Sequence, residues 1–272
     1  MKVKPHHSSK LRQYRYFGGT GDPSSFCGGE LELEIDSPTP NGKQFRAQLL
    51  RLIGKATGKR HFFVENDGSL RNGVEIITQP HTVDELKKFI YKHLKPLLIA
   101  ISQTEAQECN WAGLHFHLSK TMFGATQSSQ IDSLAKLSYF FANNASFVKR
   151  AGRRPNYHKC FAPPASTKQQ ALAFVTQMIR RTDGYEKQTR YLMLNLKNKY
   201  TVEFRAAKTT LNTQDLIAQL DFTLHLANKS KTIPWEDAHN VNAWLHDAPS
   251  NVKQYLVQVN AQKINKQGEN LK

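Results

Sequence analysis

The run Glu30-Leu31-Glu32-Leu33-Glu34-Ile35 alternates acidic and aliphatic residues at every step. A strand sorts these two sets cleanly, because its successive side chains point to opposite faces; a helix would scatter both around its circumference. The run therefore predicts a strand with Leu31, Leu33 and Ile35 turned into a core and three glutamates side by side on the other face. Glutamate is a poor strand former, and like charges on one face repel. Such a strand persists only where burial of the aliphatic face outweighs that cost and a cation relieves the carboxylates.

Three further stretches repeat the pattern. His115 and His117 alternate with Leu114, Phe116 and Leu118; Glu75 stands between Val74 and Ile76; Glu203 and Arg205 oppose Val202 and Phe204. Any antiparallel sheet with one wet face alternates in this way, and for one strand alone a solvated face is the better explanation. Merely solvated strands draw on Thr, Lys, Ser and Gln, whereas these four turn out Glu, His and Arg, the residue types that bind metals and phosphates. Together they point to a catalytic face. Converging carboxylates suit a hard divalent cation such as Mg²⁺ or Mn²⁺. Arginines beside them suit the charge on a phosphoryl group. On residue types alone two reactions fit equally. One is ATP-dependent joining of a carboxylate to an amine through an acyl phosphate; the other is metal-assisted hydrolysis.

Around these strands the chain reads as α+β, with one domain over residues 26 to 261 between a flexible basic arm (1 to 25) and a polar tail (262 to 272). Helical character covers Gln44 to Ile53. His61 to Val64 and Val74 to Thr78 read as strands around the turn Asp67-Gly68-Ser69. Thr82 with Glu85 makes a capping-box signature for a helix striped by Leu86, Ile90, Leu94 and Ile101, which Pro96 is expected to kink. Ala112 to Leu118 is a predicted strand and Ser129 to Phe147 a predicted helix. Another helix is expected to be capped near Ser166 with Gln169. Arg190 to Leu196 and Tyr200 to Arg205 form a predicted hairpin turning at Lys197, Asn198 and Lys199, and helices are expected from about Thr213 and from Trp235.

Composition narrows the partners. No apolar run approaches bilayer-spanning length, and the segment Met1 to Lys10 is basic and polar without the apolar centre of a signal peptide. A cytoplasmic protein with no membrane partner is the expectation. Cys27, Cys109 and Cys160 are odd in number and lack CxxC spacing, which argues against a disulfide framework or a zinc knuckle. The net charge of +16 suits anionic partners. The basic residues are spread along the chain, however, and the densest run (Lys149, Arg150, Arg153, Arg154) is short, so nucleic acid is the lesser expectation. Gly54 to Arg60 faintly echoes a phosphate-binding loop but has one spacer too few and Arg60 where Ser or Thr should bind magnesium.

Read in order, these elements resemble the amidoligase family, carboxylate–amine ligases with a fold like glutamine synthetase and glutamate–cysteine ligase. Gly28-Gly29-Glu30-Leu31-Glu32-Leu33-Glu34 resembles the family's opening G-x-E-x-E strand. Glu65-Asn66-Asp67-Gly68-Ser69-Leu70 followed by Gly73-Val74-Glu75-Ile76-Ile77-Thr78-Gln79-Pro80 is similar to its "DGS…G-x-E…P" element. Gly113-Leu114-His115-Phe116-His117 is similar to its G-x-H-x-H strand. Arg190-Tyr191, Asn195, Thr201-Val202-Glu203-Phe204-Arg205 and Thr210-Leu211 resemble its closing block.

The resemblance spans roughly residues 26 to 211. It implies an antiparallel sheet curved around the site and backed by helices, with ATP and Mg²⁺ (or Mn²⁺) as cofactors. It implies carboxylate and amine substrates of peptide, amino-acid or cell-wall type. Glu30, Glu32, Glu75 and Glu203 would be Mg²⁺ ligands, and His117, with His115 a weaker candidate, would contact nucleotide or metal. Arg190 and Arg205 would hold phosphates and, with Glu203, serve catalysis, while Asp67 and Ser69 would shape the substrate side. The third acid, Glu34, leaves Glu32 and Glu34 open as an alternative metal pair, and Arg150 or Arg153 is a candidate for the family's loop arginine. Two other readings stand beside the ligase: a metal-dependent hydrolase on the same acidic face, and a non-catalytic basic nucleic-acid-binding or phage protein of the same fold.

Overall fold

A computed structural model describes residues 16–18, 26–34, 41–70, 72–104, 111–154, 160–180 and 191–269. In it the acid–aliphatic run forms strand β1 (Phe26–Leu33), which starts earlier than the alternation alone suggests. The fold is α+β with antiparallel strand pairing. Within the span expected as one domain the chain clusters into two compact units. Unit 1 takes residues up to Leu118 plus Lys208–Ile217; unit 2 takes Ser119–Ala207 and the chain from Ala218 onward.

In unit 1, β1 lies between β3 (Val74–Thr78) and β5 (Gly113–Ser119), and β2 (Phe62–Glu65) pairs the far side of β3. The short β4 (His81–Thr82) pairs the start of β1, and all these pairings are antiparallel. Register places Val64, Ile76, Leu31 and Leu114 in one line across four strands. Each is buried, contributing roughly 1.5–3 kcal/mol of transfer free energy. Leu86, Ile90 and Leu94 close over this line. They come from a continuous helical stretch: α2 (Val83–Phe89), a π turn over Ile90–Leu94, and α3 (Lys95–Ser102). Ahead of β2 lies α1 (Asn41–Lys55), which buries Phe45, Leu49 and Ile53.

One local expectation is refined here and another corrected. Pro96, expected to kink the helix, sits in the first turn of α3 behind a widened turn in which the Lys95 N–H donates to the Ile90 carbonyl. A residue without an N–H is accommodated where the ladder already shifts. Thr82 does occupy the N-cap of α2, but its side chain makes no cap bond. The capping box fails because the Thr82 N–H, which Glu85 would have satisfied, donates instead to the Phe17 carbonyl; Glu85 pairs with Lys88 at 2.7 Å.

Unit 2 carries α4 (Gln127–Asn143), α5 (Ala145–Ala151), α6 (Lys168–Arg180), β6 (Leu194–Asn195) and β7 (Thr201–Lys208). The rest of α7 (Thr213–Ser230) follows from Ala218, then α8 (Val241–Leu245) and α9 (Ser250–Glu269). The single helix expected over Ser129 to Phe147 is two. Thr126 and Ser129 form the capping box that starts α4. Asn144 ends it, with its amide donating to the Phe140 and His239 carbonyls. The box of α6 is Thr167 with Gln170, one residue later than expected. Trp235 begins a turn rather than a helix, and its indole donates to Asp132. The α9 helix continues through most of the stretch read as a polar tail. Trp244 is fully buried 4.7 Å from the Phe140 ring at the centre of this unit. Among the described residues no helix is long and apolar enough to cross a membrane.

Candidate metal centre

The register that lines up the aliphatic residues also lines up the acids. Glu65 on β2 faces Glu75 on β3, and Glu75 faces Glu32 on β1. All three are buried. The line ends at Gly113 of β5, whose N–H donates to Glu32 Oε2. One step along, Glu30 faces His115. His115 Nδ1 lies 3.2 Å from Glu30 Oε2 and His117 Nε2 lies 3.0 Å from Glu30 Oε1, so each oxygen of one carboxylate meets an imidazole. The other nitrogen of His115 lies 3.8 Å from Glu32 Oε1.

These neighbours set opposite protonation behaviour for two acids on one face. Burial works against ionisation of Glu30, but the charge of His117 and the hydrogen bonds from His115 and His117 outweigh it and hold the carboxyl well below its usual range. Glu75 is pushed up to about 10, first by burial and then by the surrounding Glu30, Glu32, Asp67 and Glu65. In the absence of a cation, Glu75 keeps its proton at neutral pH.

The β2–β3 loop brings in Asp67. Its carboxylate accepts from the Ser69 N–H at 2.6 Å and from the Ser69 hydroxyl, so Ser69 serves the turn. Asp67 lies with Glu32 and Glu75: one ligand atom from each falls within 4.8 Å of the others, and the same holds for Glu30, Glu75 and His115. Glu34 lies just past β1 and accepts from the Asn72 N–H at 3.0 Å. Of the two pairs left open by the sequence, the structure places Glu30 and Glu32, not Glu34, in these constellations. Arg46 of α1, unmarked by any motif, donates to the Gly73 carbonyl and to Asn66 Oδ1, clamping both ends of the Asp67 loop. A side chain at Gly73 would sit 2.0 Å from the Leu33 carbonyl oxygen, so only glycine permits this approach of loop to strand.

In unit 2, β6 and β7 pair Asn195 with Glu203. The Asn195 amide donates to Glu203 Oε2 at 2.7 Å, and Arg205 is ion-paired with Glu203 Oε1. The Arg205 carbonyl accepts from Arg154 at 3.3 Å, and Arg153 adopts a positive φ of 59° beside it in sequence. Arg190 lies outside the described residues. Among residues to which the sequence assigned no role, Glu65 had a legible signal, its place as a further acid beside the Asp67 turn. Arg46 had none, because its partners are a backbone carbonyl and a loop amide.

No protein-family model matches the chain and no curated protein sequence is similar to it. The carboxylate oxygens of unit 1 suit a hard divalent cation such as Mg²⁺ or Mn²⁺, and the imidazole of His115 is the softer donor grouped with them.

Proposed function

We propose that this protein is an ATP- and Mg²⁺-dependent ligase that joins a carboxylate to an amine on a glutamine synthetase-like fold. The observation that carries the reading is the paired constellation Glu30–Glu75–His115 and Glu32–Asp67–Glu75, strand residues joined by one from the β2–β3 loop. Glu30, Glu32 and Glu75 would hold Mg²⁺, or Mn²⁺ in its place, with Asp67 as a further ligand rather than the substrate contact first expected. Bound there, the cation supplies charge neutralisation to phosphate groups. His115 and His117 keep Glu30 ionised and oriented for it. To serve as a ligand Glu75 would have to be ionised, its proton passing to solvent. The resemblance adds Glu203 as a ligand and Arg205 as a phosphate contact; its planar fork is already directed by Glu203. The acyl acceptor is an amine, and the carboxylate is of amino-acid or peptide type.

The test is phosphate release from ATP, with pools of carboxylates and amines, with Mg²⁺ and again with EDTA. Release that needs metal, carboxylate and amine together supports the ligase. Metal-dependent cleavage with no ATP consumed moves the assignment to a hydrolase. Salt-sensitive DNA binding in a chain that binds no nucleotide moves it to the non-catalytic alternative.

A further inference from the structure

At the β4 end of the sheet, away from the carboxylates in the register of β1, three histidines and two phenylalanines stack. Phe17 lies over His61 with ring centroids 4.1 Å apart and over His81 at 5.1 Å. His61 and His81 both stack on Phe89, at 5.4 and 5.5 Å, and His93 lies 5.7 Å from His61. His61 and His81 are buried.

The hydrogen bonds fix the tautomers. His81 Nδ1 lies 2.5 Å from the Gln79 carbonyl, which only accepts, so Nδ1 carries the proton and Nε2 is the acceptor. His61 Nδ1, 3.0 Å from that Nε2, must then donate, which leaves His61 Nε2 as an acceptor. Arg60 Nε donates to it at 3.3 Å. The relay runs one way: Arg60 to His61 to His81 to the Gln79 carbonyl. Both imidazoles have to be neutral. A proton added from solvent to His81 Nε2 would face the His61 N–H, and one added to His61 Nε2 would face the Arg60 N–H.

The stack holds a piece of chain. Phe17 bridges His81, with its N–H donating to the Pro80 carbonyl at 3.0 Å and its carbonyl accepting from Thr82 at 2.9 Å. Gly18 turns away at φ 80°, where a Cβ would meet Thr82 Oγ1 at 2.4 Å, so the turn is built for glycine. His81 also pairs Cys27 of β1. We infer that the Arg60–His61–His81 relay is an acid-sensitive latch, holding residues 16–18 on the sheet edge at neutral pH and releasing them when an imidazole is protonated.

The charged groups around the relay agree. His61 is lowered from its ordinary 6.5 by burial, then by Arg60 and His93, with Glu85 opposing. His81 is lowered to about 4, chiefly by burial and also by His61, against the Gln79 bond and Glu85. His93 is lowered by burial, Lys92 and Arg60, and its Nδ1 meets the Thr57 hydroxyl at 2.9 Å. Histidines depressed in the folded state stabilise it above their unfolded value; that contribution is lost as pH falls from 6.5 towards about 4. The inference is independent of the ligase reading.

The experiment is amide exchange at Phe17 and Thr82, corrected for intrinsic pH dependence, from about pH 8 to about pH 4.5, beside far-UV circular dichroism. Protection at both amides should fall about tenfold or more in the acid half of this range while the dichroism holds. The exposed Arg60→Met removes a charge that depresses His61, so a protonated His61 is better tolerated in the latched state and the acid-induced fall in protection should shrink. His61→Phe keeps a ring in the stack but cannot titrate, and its protection should fall less in that window, with His81 alone left to take a proton. Protection unchanged throughout, loss only together with the dichroism, or a fall in Arg60→Met as large as in wild type would each overturn the latch.

Discussion

Glu32 and Glu75 stand directly opposite each other on β1 and β3, both buried, with Glu65 facing Glu75 from the other side. Three acids in line cannot all ionise cheaply, and the middle one keeps its proton up to about 10. The folded chain therefore binds that proton more tightly than the unfolded chain, whose carboxyl titrates near 4.5. The contribution is fully present below 4.5 and is lost progressively as pH rises towards 10. Glu75→Gln mimics the protonated form without the penalty. Its melting temperature should exceed wild type by about 2 °C or more near pH 8, the shift that roughly 1 kcal/mol makes in a chain of this size, and by less near pH 5. Mn²⁺ should raise the melting temperature of wild type and not of the variant. A variant less stable than wild type near pH 8 would contradict the assignment of Glu75.

Glu30 is the converse case, a carboxylate kept charged because an imidazole meets each oxygen. Removing His115 also removes a nitrogen grouped with Glu30 and Glu75 as potential ligands. His115→Ala should weaken Mn²⁺ binding about 10–100-fold by calorimetry, the usual cost of losing a ligand or its support. His117→Ala, which removes the imidazole at the other oxygen of Glu30, should also weaken it. Wild-type affinity in His115→Ala would place the metal elsewhere.

Much of the acidic face was legible in the sequence, because a two-residue period sorts side chains without knowledge of strand pairing. The period places Glu30, Glu32, Glu75 and His115 on the polar faces of their strands, residue type marks those faces out, and β3 begins and ends where expected. What needs register stayed open: the line Glu65–Glu75–Glu32 and the choice between the pairs Glu30/Glu32 and Glu32/Glu34 depend on where β1 ends and how β3 slides against it. The helix ends depended on competition for single donors. Thr82 was a good cap in sequence, and Phe17, far upstream, took its N–H. The Ser129 to Phe147 helix breaks at Asn144, whose amide reaches two carbonyls, one of them 95 residues away, and no local pattern encodes that bond.

Arg46 acts at a distance from the carboxylates. Its guanidinium clamps Asn66 and Gly73, so Asp67 between them is carried by a loop fixed at both ends. Arg46→Ala should leave the melting temperature within about 2 °C of wild type, since the side chain is only half-buried, yet weaken Mn²⁺ binding about 3–10-fold through a looser Asp67. Arg46→Lys, with one point charge for two acceptors, should recover only part of the affinity. A large loss of stability with unchanged affinity would make Arg46 a packing residue alone.

Arg205 separates its backbone role from its side-chain role. Its N–H donates to the Met193 carbonyl at 2.8 Å and its carbonyl accepts from Arg154, so the strand is held whatever the side chain is. The guanidinium is engaged with Glu203, which Asn195 also supports. Arg205→Lys retains the charge and the strand but loses the planar fork that grips two phosphate oxygens at once. The expected result is a folded variant with melting close to wild type and phosphate release reduced about 100-fold or more, of the order seen when a transition-state donor is lost. Glu203→Gln keeps an acceptor for Asn195 and should likewise abolish turnover with little loss of fold. An undiminished rate constant in Arg205→Lys would remove this residue from the phosphate role and leave it as half of a structural ion pair.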